Sequence, residues 1–381
     1  MNSRRSGLPA GLKDAVQASR DADEIGLPLN APVTAAPKRS AFRPDDRLTG
    51  MLIGCAIGDA LGMPVEGIEN ELTQRALERL GGIRDFLAPQ HHVLRSLRKL
   101  RPGYWTDDTQ LTLAVARSVV AEGTLDYDAV ADAHVRAFET LELRGWDATT
   151  KQACRRLAQG TSRSRSGKIG GSGNAVAMKI SPVAAFSFVR GESRETLLRH
   201  CVAVGLMTHH DPRAVVGAYL VALLVRDGLA SFKRWEPAAD RYDELIDEAV
   251  WAEEALSRTL GVSDDPISQH LIELSDALDS TPAELAEFCH GATSYVCHSI
   301  PFVIALLCGR SWEFEDGVLA AVNAAGDTDT NGAIVGAILG GTYGLKRLPK
   351  RFLDKVEEAE MIRELGRSFG QTLGNAALMT A

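Results

Sequence analysis

The sequence, 381 residues long, predicts an all-α fold. From Leu48 onward apolar residues recur three and four apart through long segments, strand-like alternation is almost absent, and Gly and Pro punctuate the segments. Many of the segments are rich in Ala and Gly, which lets helix axes approach closely in a packed bundle.

Taken in order, residues 1 to 45 stand apart. They are rich in Ala, Pro, Arg and Ser, with apolar residues too sparse to seed a core. One short helix is expected over Leu12 to Ile25, before Pro28, Pro32 and Pro37 force extended chain. The segment reads as an extension, partly disordered or partner-binding, because Leu8, Leu12, Val16, Ile25 and Leu27 can line one side of a groove. Helices are then predicted at Leu48 to Leu61, Asp108 to Ala121, Ala129 to Leu143, Pro212 to Arg226 and Asp243 to Leu260. Further ones follow at Pro282 to Gly291, Pro301 to Leu307, Gly317 to Ala325 and Asn331 to Tyr343. Small residues mark the segments around Gly54 and Gly58 and around Gly332, Gly336 and Gly340 as inner helices. Thr161 to Gly173, a run of Arg, Ser and Gly, is predicted to be a loop.

Composition narrows the function classes. With 45% hydrophobic and 24% charged residues, the chain has the make-up of a soluble globular protein. No stretch of about 18 apolar residues is free of polar breaks, so no membrane span is expected. Arg4 and Arg5 precede no apolar stretch of the signal-peptide kind, which leaves a cytoplasmic address. A net charge of -8 and a pI near 5.7 argue against generic nucleic-acid binding, which needs a basic face. Cys55, Cys154, Cys201, Cys289, Cys297 and Cys308 lack any Cys-x-x-Cys spacing and read as buried thiols.

Two Asp-rich sequences carry the candidate chemistry: Trp105-Thr106-Asp107-Asp108-Thr109 and Gly326-Asp327-Thr328-Asp329-Thr330, each ahead of an apolar helix. Asp and Thr cap helix N-termini, so each motif alone can be a capping device. Dense carboxylates and hydroxyls at two inner helices also match the hard oxygen set that Mg²⁺ or Mn²⁺ prefers. If the helix starts converge, the carboxylates repel one another unless divalent cations neutralise them. Other constellations fall short. Gly160 to Lys168 has the wrong glycine spacing for a phosphate loop, and Ile169 stands where its Ser or Thr belongs. Asp107-Asp108 continues as Thr109-Gln110-Leu111, without the further acid that helical diphosphate enzymes need. His209 and His210, before Asp211 and Pro212, either cap a helix or contact a ligand, and Cys297-His298 reads as core packing.

Gly54-Cys55-Ala56-Ile57-Gly58-Asp59-Ala60-Leu61-Gly62 with Glu66 comes first, followed by Trp105 to Thr109. Gly173-Asn174 with Ala177-Met178 and Pro182, then Thr208-His209, then Gly326 to Thr330 complete the series. In this combination and order, across about residues 48 to 345, the sequence resembles the ADP-ribosylglycohydrolase family, which includes ADP-ribosylarginine hydrolases and dinitrogenase reductase-activating glycohydrolases. The resemblance implies one such domain over residues 46 to 381, an orthogonal multi-helix bundle with a binuclear Mg²⁺ or Mn²⁺ site in a central cleft. Its implied metal ligands are Thr106, Asp107, Asp108, Asp327, Asp329 and Thr330. Glu66 matches the mobile catalytic acid, with Asp107 and Asp329 also counted as catalytic, while Gly171, Ser172, Gly173, Asn174 and His209 match the substrate-binding part. Asn174-Ala175-Val176 and Lys179 depart from the family's usual Asn-Gly-Gly and Arg. The implied activity is removal of ADP-ribose from a modified protein, foremost from arginine by cleavage at C1″. The alternatives are serine-linked or polymeric ADP-ribose, and an immunity protein that binds a cognate ADP-ribosyltransferase toxin through residues 1 to 45.

Overall fold

The structure, a computed structural model, describes residues 44–66, 70–90, 100–140, 144–231, 234–237 and 240–379, with the backbone alone at 70 and 375–379. The expectations for residues 1–43, the Leu12 to Ile25 helix and the partner-binding arm among them, lie outside the described residues. The chain opens with α1 (Pro44–Gly62), α2 (Asn70–Leu80), α3 (Asp107–Glu122), α4 (Tyr127–Glu139) and α5 (Ala148–Ala158). A two-residue strand β1 (Lys168–Ile169) precedes α6 (Ser181–Arg190) and α7 (Arg194–Gly205), and β2 (His209–His210) leads into α8 (Pro212–Ala230). Then come α9 (Arg241–Leu260), α10 (Ile267–Glu273), α11 (Pro282–Phe288), α12 (Val296–Cys308) and α13 (Phe314–Val322). The last elements are α14 (Thr328–Tyr343), α15 (Lys350–Leu353) and α16 (Ala359–Met379).

The centre of the bundle is the pair α1 and α14. A Cβ on Gly54 would come within 2.2 Å of the Gly336 carbonyl oxygen, and one on Gly58 within 1.9 Å of that of Gly332. Since Gly50 faces Gly340 and Gly58 faces Gly332, the two helices run antiparallel with their backbones in contact. This contact requires glycine at each crossing point and explains why neither helix has an apolar stripe: both are buried on all sides. The segment Pro44–Val65 is long and apolar enough to cross a membrane, but its apolar window is wholly buried within the protein. Outer helices do show stripes. On α16 one face packs against α1 and the other side is exposed.

Several boundaries differ from the sequence reading for identifiable reasons. The predicted start at Pro301 falls inside α12, which begins at Val296 and carries Pro301 in its interior. Ala-rich helix ends extend past their last apolar residue, so α8 runs to Ala230 and α14 begins at Thr328. The helices α2, α5, α6, α7, α10, α15 and α16 were not anticipated; α2 and α5 are amphipathic but short and charged. Within the Thr161 to Gly173 loop, β1 pairs in parallel with β2, Lys168 opposite His209.

Candidate active site

Where α1 ends, the first turns of α3 and α14 meet it. Asp59, near the end of α1 and fully buried, organises this junction. Its Oδ1 accepts from Thr106 Oγ1 at 2.9 Å, and its Oδ2 accepts from Thr109 N at 3.0 Å and Thr109 Oγ1 at 2.6 Å. Thr106 N donates to the same carboxylate at 2.9 Å. Burial raises the Asp59 carboxyl to about 6 against the opposing pull of these donors. On the α14 side, Thr328 Oγ1 donates to the Gly62 carbonyl at 2.8 Å, which fixes that helix start to the end of α1. Gly326 makes the approach possible. It has φ 76°, and a Cβ there would sit 2.1 Å from the Gly291 carbonyl oxygen.

The two Asp motifs thereby converge. Asp59, Asp108 and Asp329 present carboxylate oxygens within 4.8 Å of one another. Thr106 Oγ1 lies 2.9 Å from Asp59 Oδ1, 3.1 Å from Asp108 Oδ2 and 3.4 Å from Asp329 Oδ2. One hydroxyl proton satisfies only one of these oxygens, and Asp108 Oδ1 is buried without any partner. Burial pushes Asp107, Asp108 and Asp329 well above the usual carboxylate range, with Glu66 adding to the effect on Asp107 and Asp329 and Asp59 on Asp108. Asp327 is also raised by burial, opposed by a bond from Asn174. Capping does not account for the motifs. Neither N-cap residue, Thr106 for α3 or Asp327 for α14, makes a side-chain capping bond. The donor set fits a hard divalent cation, whose charge would neutralise an orphaned carboxylate oxygen among so many acidic neighbours. Asp59, whose oxygens are taken by Thr106 and Thr109, anchors the set from behind.

The cluster forms the floor of a cleft of about 500 Å³. Asp107, Asp108, Asp327, Asp329, Thr330 and Glu66 all line it, and Thr106 lies directly beneath. Gly173, Asn174 and His209 line its wall together with Thr293 and Ser294, with Gly173 bridged to Tyr295. Asn174 Nδ2 donates to Asp327 Oδ2 at 2.6 Å and to Ser299 Oγ at 3.1 Å, while its backbone N donates to the Ser294 carbonyl at 3.0 Å. His209 Nδ1 lies 3.0 Å from Thr208 Oγ1, which accepts from Lys179 Nζ at 3.0 Å. Thr208 Oγ1 thus links Lys179 to His209 Nδ1, and Nε2 is the other ring nitrogen of His209. Burial, aided by Lys179, lowers His209 to about 4, and burial lowers Lys179 itself to about 8. Helix capping at this point falls to Asp211, whose side chain accepts from Arg213 N, and not to His209 or His210. Gly171 and Ser172 stand one step back: Gly171 packs against His209, and the Ser172 carbonyl accepts from Val296 N at 3.0 Å.

Sequence reasoning gave no role to Asp59 or Asp147. Asp59 carried a signal, a charge inside an all-apolar, Gly-spaced helix, where burial demands partners. Asp147 lines the cleft as the N-cap of α5, with Oδ1 accepting from Thr149 N and Thr150 N and Oδ2 buried without a partner. In sequence it is indistinguishable from an ordinary cap.

The ADP-ribosylglycohydrolase family matches residues 40–377. The ADP-ribosylarginine hydrolase Tri1 of Serratia proteamaculans is 25% identical, over 88% of this chain and 81% of its own. The ADP-ribosyl-[dinitrogen reductase] glycohydrolase of Rhodospirillum rubrum is 25% identical over 87% and 97%, and the ADP-ribosylhydrolase ARH3 of Mus musculus 25% over 86% and 92%. A solved structure described as an ADP-ribosylglycohydrolase-related protein complex shares the fold, with a TM-score of 0.62 at 24% identity, covering 87% of this chain and 99% of that one. Matched by the family over residues 40–377 and sharing most of its length with these relatives, the chain belongs to the ADP-ribosylglycohydrolase family and is a hydrolase of ADP-ribosyl bonds.

Proposed function

We propose that this hydrolase depends on two divalent cations, Mg²⁺ or Mn²⁺, and releases ADP-ribose from arginine side chains by cleaving the N-glycosidic bond at C1″. The observation that carries the metal dependence is the orphaned, buried Asp108 Oδ1 within a convergent set of carboxylates. Thr106, Asp107, Asp108, Asp327, Asp329 and Thr330 would hold the ions, which when bound neutralise the cluster and polarise substrate oxygens. Glu66, which lines the cleft and acts electrostatically on Asp107 and Asp329, takes the proton of the attacking water in this reading as oxocarbenium character develops at C1″. His209, which lines the cleft, supplies a polar contact for the substrate. Asn174, tied to Asp327, couples the substrate wall to the floor.

Arginine as acceptor is supported by Asp147. Its carboxylate lines the cleft, and a guanidinium forms charge-assisted bonds with carboxylates and keeps its charge at all relevant pH values. Serine-linked and polymeric ADP-ribose offer no such cation. The test is a substrate panel: equal amounts of arginine-linked, serine-linked and polymeric ADP-ribose, with free ADP-ribose measured by chromatography. Fastest release from arginine, reduced in Asp147→Asn for that substrate alone, supports the reading; preference for either other linkage overturns it.

A further inference from the structure

Behind the Thr293 and Ser294 wall, the end of α10, the turn after α11 and the start of α12 bring together His270, His290 and His298, three of the chain's nine histidines. Their ring centres are 5.0 Å apart for His290 and His298, 6.3 Å for His270 and His290, and 6.4 Å for His270 and His298. Imidazoles sharing one tetrahedral ion at a metal–nitrogen distance of about 2.0–2.1 Å have ring centres about 5 Å apart. Two of the rings are already oriented from behind, as second-layer partners orient metal-binding histidines. His270 Nε2 pairs with Asp265 Oδ1 at 2.7 Å, and Asp265 Oδ2 in turn accepts from Tyr295 OH. His298 Nδ1 pairs with Thr293 Oγ1 at 2.9 Å. His270 Nδ1 and His298 Nε2 are left for a ligand. His290 is exposed, makes no hydrogen bond through its ring among the described residues, and is held at φ 53°, a conformation non-glycine residues adopt at a cost. Cys297 Sγ lies within 4.8 Å of ligand atoms of His270 and Asp265 and is 3.5 Å from the Asp265 carbonyl oxygen.

We propose that His270, His290 and His298, with Cys297 beside them, form a second cation site for a borderline transition metal of the Zn²⁺ class. Nitrogen and sulfur donors select such ions, whereas the oxygen-only floor of the cleft suits Mg²⁺ or Mn²⁺. Through Thr293, which lines the cleft and bonds His298, an ion here would stiffen the substrate wall.

Co²⁺ distinguishes the two sites, because four-coordinate nitrogen or sulfur ligation gives intense visible absorption and six-coordinate oxygen ligation gives weak absorption. The full chain, stripped with chelator and held in excess Mg²⁺, is titrated with Co²⁺. The expected result is intense bands that saturate near one equivalent, disappear on addition of Zn²⁺, and persist in Asp329→Ala. His290→Ala, a change at an exposed ring that leaves the fold intact, should weaken Co²⁺ binding at least about tenfold, and His298→Gln should do the same. Absence of intense bands in the wild type, their survival at unchanged affinity in His290→Ala and His298→Gln, or their loss in Asp329→Ala overturns the proposal.

Discussion

Asp59 accepts bonds from both Thr106 and Thr109, so an amide in its place would turn a donor toward donors at one oxygen. Asp59→Asn is expected to lower apparent Mg²⁺ affinity about 10- to 100-fold, as loss of an orienting partner does at metal sites, read from the Mg²⁺ dependence of turnover. Asp329→Ala should abolish turnover while the protein stays folded, because one ligand and one repulsive charge go together; full activity at limiting Mg²⁺ would reject the assignment. Glu66→Gln should reduce kcat by about 10²–10⁴ while ADP-ribose affinity falls far less; equal losses in both would make Glu66 a binding residue. His134 gives a pH prediction. It is fully buried and held at about 3, chiefly by burial. Between that value and the usual histidine range near 6.5, the unfolded chain binds a proton that the folded chain refuses, so this contribution to stability is present above about 6.5 and lost as pH falls. Relative to His134→Gln, the wild type should lose about 1.4 kcal/mol per pH unit across that window, measured by denaturant titration. The acidic motifs were legible because their residue types are unusual and dense. Asp59 and Asp147 were not read as part of the site, since one carboxylate in a helix and one at a cap carry no such density.

Among the elements, α1 and α14 decide the geometry of the site, since their glycine contact sets how far Asp59 lies from Asp329. Gly58→Ala would place a methyl 1.9 Å from the Gly332 carbonyl oxygen, a backbone atom that cannot turn aside. The expected result is destabilisation of at least about 1–3 kcal/mol with a lower Tm and reduced metal affinity, since the helices must separate at the level of the floor. An unchanged Tm would show that the crossing has slack. These inner helices were readable from Gly spacing. The short amphipathic helices α2 and α5 were not, because few apolar residues mark them and packing, more than propensity, stabilises them. The β1–β2 pairing was equally hidden, as it depends on residues distant in sequence.

For the molecule as a whole, every residue that lines the cleft follows Pro44, the start of α1. Deleting residues 1–40 should therefore leave hydrolysis of a small ADP-ribosylated substrate nearly unchanged; weakened binding to a transferase by the same truncation would give that segment the partner-binding role. The all-α class was legible from periodicity and the family from motif order, while the cleft's walls depended on which loops the fold brings together. Across the molecule, the central claim is that the acidic floor works through divalent cations. The most direct measurement is release of free ADP-ribose from an ADP-ribosylated arginine substrate, with the same protein stripped by chelator and then resupplied with Mg²⁺ or Mn²⁺. The expected result is loss of release on stripping, recovery on resupply, and no recovery in Asp108→Asn. Release that continues undiminished in the stripped wild type would contradict it.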